Sequence, residues 1–305
     1  MIKRETVHIF DLILKQLIRL SSVAVIQFIN GLFDANHPLD STVEYPSTET
    51  VSKKLRKLMS DTIVIIGGIH TYHIEGEIGD DANIALKVFE YGFAEGLRTK
   101  SAGEGDNVIE VCFPKARIIY WETTGKTPDE VTLRLRFPDG KHHDYNVRTF
   151  KFLDHDISEL EKQKMAILLP FYVLKLRKRV ISAKTSKRRA ELAREMKSLF
   201  NELVTAVDRS AEAGLMSEPD KRIVLEHMDR LYKELYSPYR EFREADTMLQ
   251  ERILTYSEEA AEKAAAKAAE KTKFEVAQKM LMRGMALPDI AEIAGLPLDK
   301  LQTLL

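Results

Sequence analysis

From Glu5 to Phe33 the apolar residues Val7, Phe10, Ile13, Leu14, Leu17 and Ile18, and then Val25, Phe28 and Ile29, recur every three or four positions. That is the spacing of a helix with one buried face. Ser21-Ser22 interrupts the run, so two helices are expected, the second closing at Asn30-Gly31. Between Pro38 and Ser47 the chain turns polar and carries two prolines around Thr42-Val43-Glu44-Tyr45, which predicts a short edge strand. The period then changes. Thr62 to Ile66 is apolar and β-branched on both faces, as in a strand covered on both sides. Gly67-Gly68 marks a tight reversal and Ile69 to Glu75 reads as the returning strand. Asp80-Asp81 are placed to cap a helix over Ala82 to Arg98, whose Ile84, Leu86, Val88, Phe89, Tyr91 and Phe93 form a broad apolar surface.

Beyond the Gly-containing loop Ser101 to Asp106, three further strands are predicted, over Ala116 to Trp121, Val131 to Phe137 and Tyr145 to Phe152, with a turn at Pro138-Asp139-Gly140-Lys141. After Asp154 the pattern is helical to the end. Helices are expected over Ser158 to Arg177, Ser182 to Gly214, Glu218 to Leu235 and from Tyr239 or Arg243 into the 280s. Residues 258 to 272 alternate alanine pairs with opposite charges three and four apart, which stabilises a solvated connecting helix but offers few large apolar groups for a coiled-coil seam. The organisation expected is a core over 1–157, a helical region packing on it over 158–238, a long charged helix over 239–282 and a short helix-turn-helix-like tail over 283–305.

Composition narrows the class. The 305 residues carry a net charge of −1, which argues against a protein that coats nucleic acid through its overall field and leaves a local basic groove open. The longest apolar runs fall far short of the ~20 residues of a membrane span, and the first residues lack a leader pattern, so a cytoplasmic protein is expected. The one cysteine, Cys112, allows neither an internal disulfide nor a multi-cysteine zinc site, and its apolar neighbours predict a core position.

The chemistry-bearing residues gather around the glycine pair. Asp61 and Glu75 are equidistant from Gly68. A reversal centred on Gly68 opposes them with Cβ atoms about 5 Å apart, and one centred between Gly67 and Gly68 leaves them one residue out of register. Strand alternation places His73, Glu75 and Glu77 on one face. Carboxylates crowded in this way need a cation or a shared proton, and oxygen donors suit Mg²⁺ or Mn²⁺. With a phosphate substrate such an ion supports phosphodiester hydrolysis. The competing reading places these acids at a solvated sheet edge.

The runs Ser60-Asp61-Thr62-Ile63, Tyr72-His73-Ile74-Glu75-Gly76-Glu77 and Ala85-Leu86-Lys87-Val88-Phe89-Glu90-Tyr91 resemble the core of PD-(D/E)XK nuclease family transposases, the group related to the recombination-promoting nucleases. Likeness extends through Phe28 to Phe33, Leu168 to Tyr172 and Gly284 to Leu301. The resemblance implies an α/β, restriction-endonuclease-like mixed sheet flanked by helices and followed by an all-helical region. It implies a metal held by Asp61, Glu75 and the main-chain carbonyl of Gly76, and a DNA endonuclease associated with transposition or recombination. The third motif position, Lys in the wider superfold and Gln in this branch, is Glu77 here. Ionised Glu accepts hydrogen bonds but donates none. It fits a general base, an extra metal ligand or an inactive copy that binds DNA or protein. Lys87 supplies a positive charge if it points back at the sheet, and is otherwise a solvated helix lysine.

Elsewhere, Lys178, Arg179, Lys184, Lys187, Arg188 and Arg189, with Lys175 and Arg177, form the densest basic cluster, fit for a DNA backbone or for an ordinary solvated face. Pro288 and Pro297 each open a short helix at the C-terminus, with Ile290, Ala291, Gly295 and Leu301 at helix-turn-helix spacing, but a recognition helix over Leu298 to Leu305 is short and nearly uncharged, so a packing or partner-binding cap fits better. The helical C-terminal region is also the place for any contact between copies of the chain. His142-His143 and His155 lack metal-ligand partners at recognisable spacing and are expected in solvent-exposed loops, and Trp121 is expected as a core or rim aromatic.

Overall fold

The computed structural model describes residues 4–46, 62–79, 83–104, 107–282, 285–295 and 297. It falls into two compact units, Met1–Gln250 and Glu251–Leu305. The first opens with helices α1 (Arg4–Leu17) and α2 (Ser22–Phe33), followed by strands β1 (Val43–Glu44), β2 (Ile63–Ile66) and β3 (His70–Ile78). Helix α3 (Ile84–Arg98) leads to a small ribbon, β4 (Ser101–Ala102) and β5 (Ile109–Glu110), and to β6 (Lys115–Glu122), β7 (Glu130–Arg136) and β8 (His142–Lys151). Then come α4 (Ile157–Lys162), a 3₁₀ stretch (Ala166–Leu176), α5 (Arg177–Ser182), α6 (Ser186–Glu212) and α7 (Glu218–Tyr236). Helix α8 (Arg243–Met282) crosses the boundary in sequence, and α9 (Leu287–Ala294) follows it.

The main sheet has six strands in the order β1-β2-β3-β6-β8-β7. Its centre, β3-β6-β8, is parallel, and the β1-β2-β3 and β8-β7 flanks are antiparallel. Parallel neighbours need crossovers, and α3 supplies the one between β3 and β6. Alternation along β6 assigns its residues to two cores. Ile118 and Tyr120 pack with Val147 of β8 and with Ile84 and Val88 of α3. Trp121, on the other face, stacks on Phe171 at 3.8 Å and meets Phe152 edge-on at 5.5 Å, while Phe171 lies 6.0 Å from Phe10 of α1. The α/β architecture, a mixed sheet flanked by helices with a helical C-terminal part, is therefore as the sequence predicts.

Several details differ, each for a local reason. Helix α2 runs past Gly31 to Phe33, and Asp34 takes the left-handed capping conformation (φ 52°). Gly31 is required for contact rather than for termination, since a Cβ there would lie 1.8 Å from the main-chain oxygen of Gln163. Helix α3 begins at Ile84 with Asn83 at its N-cap; Asp80, Asp81 and Ala82 lie outside the described residues. The helix expected from Ser158 to Arg177 is broken, because Lys164 adopts φ 62° and Pro170 cannot donate to an α-helical ladder. Cys112 is exposed, a correction to the expected core position: it lies between β5 and β6, outside both strands. His142 and His143 are exposed but belong to β8, opposite Arg136 and Leu135, and His155 is half-buried with its ring stacked on Phe150 at 4.5 Å.

The Ser-Ser break gains a tertiary role. Asp220, buried in the first turn of α7, accepts from the Ser21 amide at 2.9 Å and the Ser217 amide at 2.8 Å, and from both serine hydroxyls. One carboxylate thus fastens the starts of α2 and α7. Asp220→Ala is expected to lower stability by about 3 kcal/mol, the sum of two disrupted helix caps and a buried charge-assisted bond, checked by denaturant unfolding. Burial pushes this carboxyl up, but the Ser21 and Ser217 donors outweigh it and hold it below the ordinary aspartate value. A depressed folded pKa means that its contribution is complete above about pH 4 and is lost as pH falls through the folded value. The destabilisation of Asp220→Ala relative to the parent should therefore shrink in acid.

In the second unit, Ala277 on the last turns of α8 is buried with Ile290 and Ala294 of α9, and Phe274, Met285 and Ala291 pack around them. Pro288 sits in the first turn of α9, as expected, and Gly295 ends it at φ 59°. The short helix expected to follow Pro297 lies outside the described residues. Among the described residues no helix is long and apolar enough to cross a membrane.

Candidate active site

The reversal between β2 and β3 decides which of the two registers is realised. Ile66 pairs with His70, Ile65 with Thr71, Val64 with Tyr72 and Ile63 with His73, so the turn is centred on Gly68. Gly67 and Gly68 both have positive φ, 63° and 73°, which side-chain-bearing residues rarely adopt. The pairing continues to Thr62, whose carbonyl accepts from the Ile74 amide at 3.1 Å. Asp61 is the next residue and lies outside the described residues.

On the return strand His73 and Glu75 share the face that α3 covers. His73 is fully buried and Glu75 is 6% exposed. Lys87, in the first turn of α3, reaches back so that its ammonium bonds Glu75 Oε1. This is the sheet-facing alternative, and the solvated-lysine reading is set aside. The His73 Nε2 atom lies 3.6 Å from Glu75 Oε2, beyond hydrogen-bond distance, and neither ring nitrogen has a hydrogen-bond partner among the described residues. One turn after Lys87, Tyr91 meets the His73 ring edge-on at 5.8 Å.

Burial alone pushes the Glu75 carboxyl up, and the adjoining His73 ring and Lys87 ammonium more than reverse that, leaving it below the ordinary glutamate value. The Lys87 ammonium, penalised by burial, is held above its usual range by Glu75, with Tyr91 and Glu77 adding to the effect. The Tyr91 hydroxyl is pushed up by burial and by the Glu75 charge. The site therefore holds an ionised carboxylate and its cation side by side in a mostly apolar setting. Glu77, two residues on and half-buried, accepts from the Ile78 amide at 3.0 Å, where the β3-β6 register shifts. Gly76 faces the opposite way, and a Cβ on it would lie 2.8 Å from Trp121 Nε1 and 3.2 Å from Leu14 Cδ2. Trp121 thus backs the strand directly behind the acids.

Among the described residues no three His, Cys, Asp or Glu side chains are grouped to hold a metal ion. The donor chemistry nonetheless suits a hard cation, because Glu75 is ionised and its Oε2 carries no hydrogen bond of the strength that Oε1 has from Lys87. Lys87 and Tyr91 are the residues that sequence reasoning undervalued. Their spacing of four puts both on one side of the helix, but nothing in the sequence says which side meets the sheet.

The basic cluster of the helical region is largely self-paired. Arg179 holds Glu195, Arg188 holds Glu191 at 2.7 Å, Arg189 holds Glu241 at 3.1 Å, and Lys178 lies 3.8 Å from Glu122. Lys184 and Lys187 are exposed and have no carboxylate partner among the described residues. No family model, no curated protein and no solved structure matches the chain.

Proposed function

We propose that the chain is a restriction-endonuclease-like, metal-dependent DNA endonuclease of the PD-(D/E)XK type, acting in transposition or recombination, with its site on the β2-β3 hairpin. The observation that carries this reading is the buried Glu75, in contact with the Lys87 ammonium, on a hairpin centred on Gly68. The reading requires that the same register extend one residue further, so that Asp61 opposes Glu75. Asp61, Glu75 and the Gly76 carbonyl would then hold Mg²⁺ or Mn²⁺, which would acidify the attacking water and offset charge on the scissile phosphate. Lys87 would donate to a phosphate oxygen or the water, the part an accept-only Glu77 cannot play. His73 and Tyr91 would fix the orientation of Glu75.

A second reading has an observation in its favour. Lys87 already neutralises Glu75, so the carboxylate needs no metal to be tolerated where it is. On that reading the protein is an inactive nuclease fold that binds DNA or a partner. Supercoiled plasmid incubated with purified protein and Mg²⁺ or Mn²⁺ separates the two: nicking supports the enzyme, and intact plasmid under every metal supports the binding module. Glu77→Gln refines the result. It is expected to raise nicking if Glu77 is a lesion in the motif, and to lower it if Glu77 is the base.

A further inference from the structure

On the face of β3 and β6 turned away from Glu75, Lys115, Arg117 and Arg148 gather, with Asp34 near Arg117 and Glu130 opposite Arg148 across the β7-β8 pairing. Tyr72 pairs with Lys115 and Ile74 with Arg117 across the two strands, and the β6-β8 pairing of Ile118 with Thr149 brings Arg148 beside Arg117. Beyond Lys115 on the same face lie His70 and His37, their rings 5.0 Å apart, with His37 Nε2 2.6 Å from the Tyr72 hydroxyl. None of Lys115, Arg117 or Arg148 makes an ion pair among the described residues. Asp34 is near enough to act on Arg117 but forms no ion pair with it.

Arg117 is the least satisfied of these groups. Its guanidinium lies over the Phe33 ring at 5.6 Å, while its Nε is buried and donates to nothing among the described residues. It lines a cavity of about 410 Å³ whose rim adds Lys162 and Lys164. Burial depresses the Arg117 pKa, the Asp34 charge partly offsets this, and the like charge of Arg148 adds a smaller depression. Burial, His70 and Lys115 lower that of His37. Folding has thus set Arg117 and Arg148 side by side, with Lys115 further along the strand that carries Arg117. Lys115 and Arg117 are two residues apart on one strand, about 7 Å, and Arg117 and Arg148 one strand spacing apart, about 5 Å. A single small anion cannot neutralise a row of this length, whereas a chain of regularly spaced phosphates can.

We propose that Lys115, Arg117 and Arg148, with His37, His70 and the lysines of the adjoining cavity, form a binding surface for the phosphate backbone of a nucleic acid. It stands apart from the cleavage reading, because it lies on the opposite face of the sheet and involves neither Glu75 nor a metal. The contacts are to phosphate, so affinity should depend steeply on salt and little on base sequence.

The test is fluorescence-anisotropy binding of labelled single- and double-stranded oligonucleotides in EDTA, where no cleavage can intrude. Lys115→Gln/Arg148→Gln, at two exposed positions, is expected to weaken binding at least about 10-fold and to lower the salt slope by about 2. Asp34→Asn, removing the neighbouring acid, is expected to tighten it. Arg179→Gln/Arg188→Gln, in the self-paired cluster, is expected to change little. Unaltered affinity in the first variant, or an equal loss in the third, overturns the proposal. So does binding of inorganic phosphate or anionic vesicles without binding of oligonucleotides. Because the assay contains no metal, absence of nicking elsewhere leaves this result standing, and failure here leaves the nuclease reading standing.

Discussion

Asp61→Ala and Glu75→Ala are each expected to reduce Mg²⁺- or Mn²⁺-dependent nicking of supercoiled plasmid by more than about 100-fold, since outer-shell partners of a metal alone are worth 10- to 100-fold. The two substitutions should not be additive, because residues that act as one unit fail together. Glu75→Ala leaves His73 and Lys87 without their carboxylate, so a loss of fold must be separated from a loss of chemistry. The Lys87 side chain is 40% exposed and can turn its ammonium to water, which limits the cost. Glu75→Gln keeps the shape and the Lys87 contact while removing the charge. It should unfold close to the parent in a thermal melt and still fail to nick. Nicking that survives both Asp61→Ala and Glu75→Gln removes the hairpin from consideration as the site.

Much of this arrangement was readable from the chain. The β-branched run of Thr62 to Ile66, the glycine pair and the returning acids predict the hairpin, because buried strands and positive-φ turns leave strong compositional marks. The register was not readable. Asp61 and Glu75 are compatible with either turn centre, and the choice rests on Ile69 completing a three-residue reversal with its side chain 77% exposed. Nor was the partner of Glu75 readable, since a lysine in the first turn of a helix has the same local sequence whether it meets solvent or a strand twelve residues earlier. The basic cluster shows the opposite failure. Its charges are adjacent in sequence and closely followed by Glu191 and Glu195, which pair with Arg188 and Arg179, but the acid that neutralises Arg189, Glu241, lies 52 residues away. Meanwhile Lys115, Arg117 and Arg148, scattered over two strands, are gathered only by the sheet.

Trp121→Ala is expected to lower stability by about 4 kcal/mol, the range for a large aromatic removed from a close-packed core. It is 1% exposed, stacks on Phe171 at 3.8 Å and touches the backbone of β3 at Gly76. For a unit of some 250 residues this corresponds to a fall in Tm of about 10 °C. The substitution also bears on the site. Gly76 is held between Trp121 and Leu14 on one side of β3 while Glu75 faces α3 on the other, so loosening the first lets the second move. Trp121→Phe, which keeps an aromatic stack but vacates the space beside Gly76, should retain more than half of the lost stability and still depress nicking relative to the parent. Equal nicking by Trp121→Phe and the parent would mean that the position of β3 at Gly76 does not limit the chemistry at Glu75.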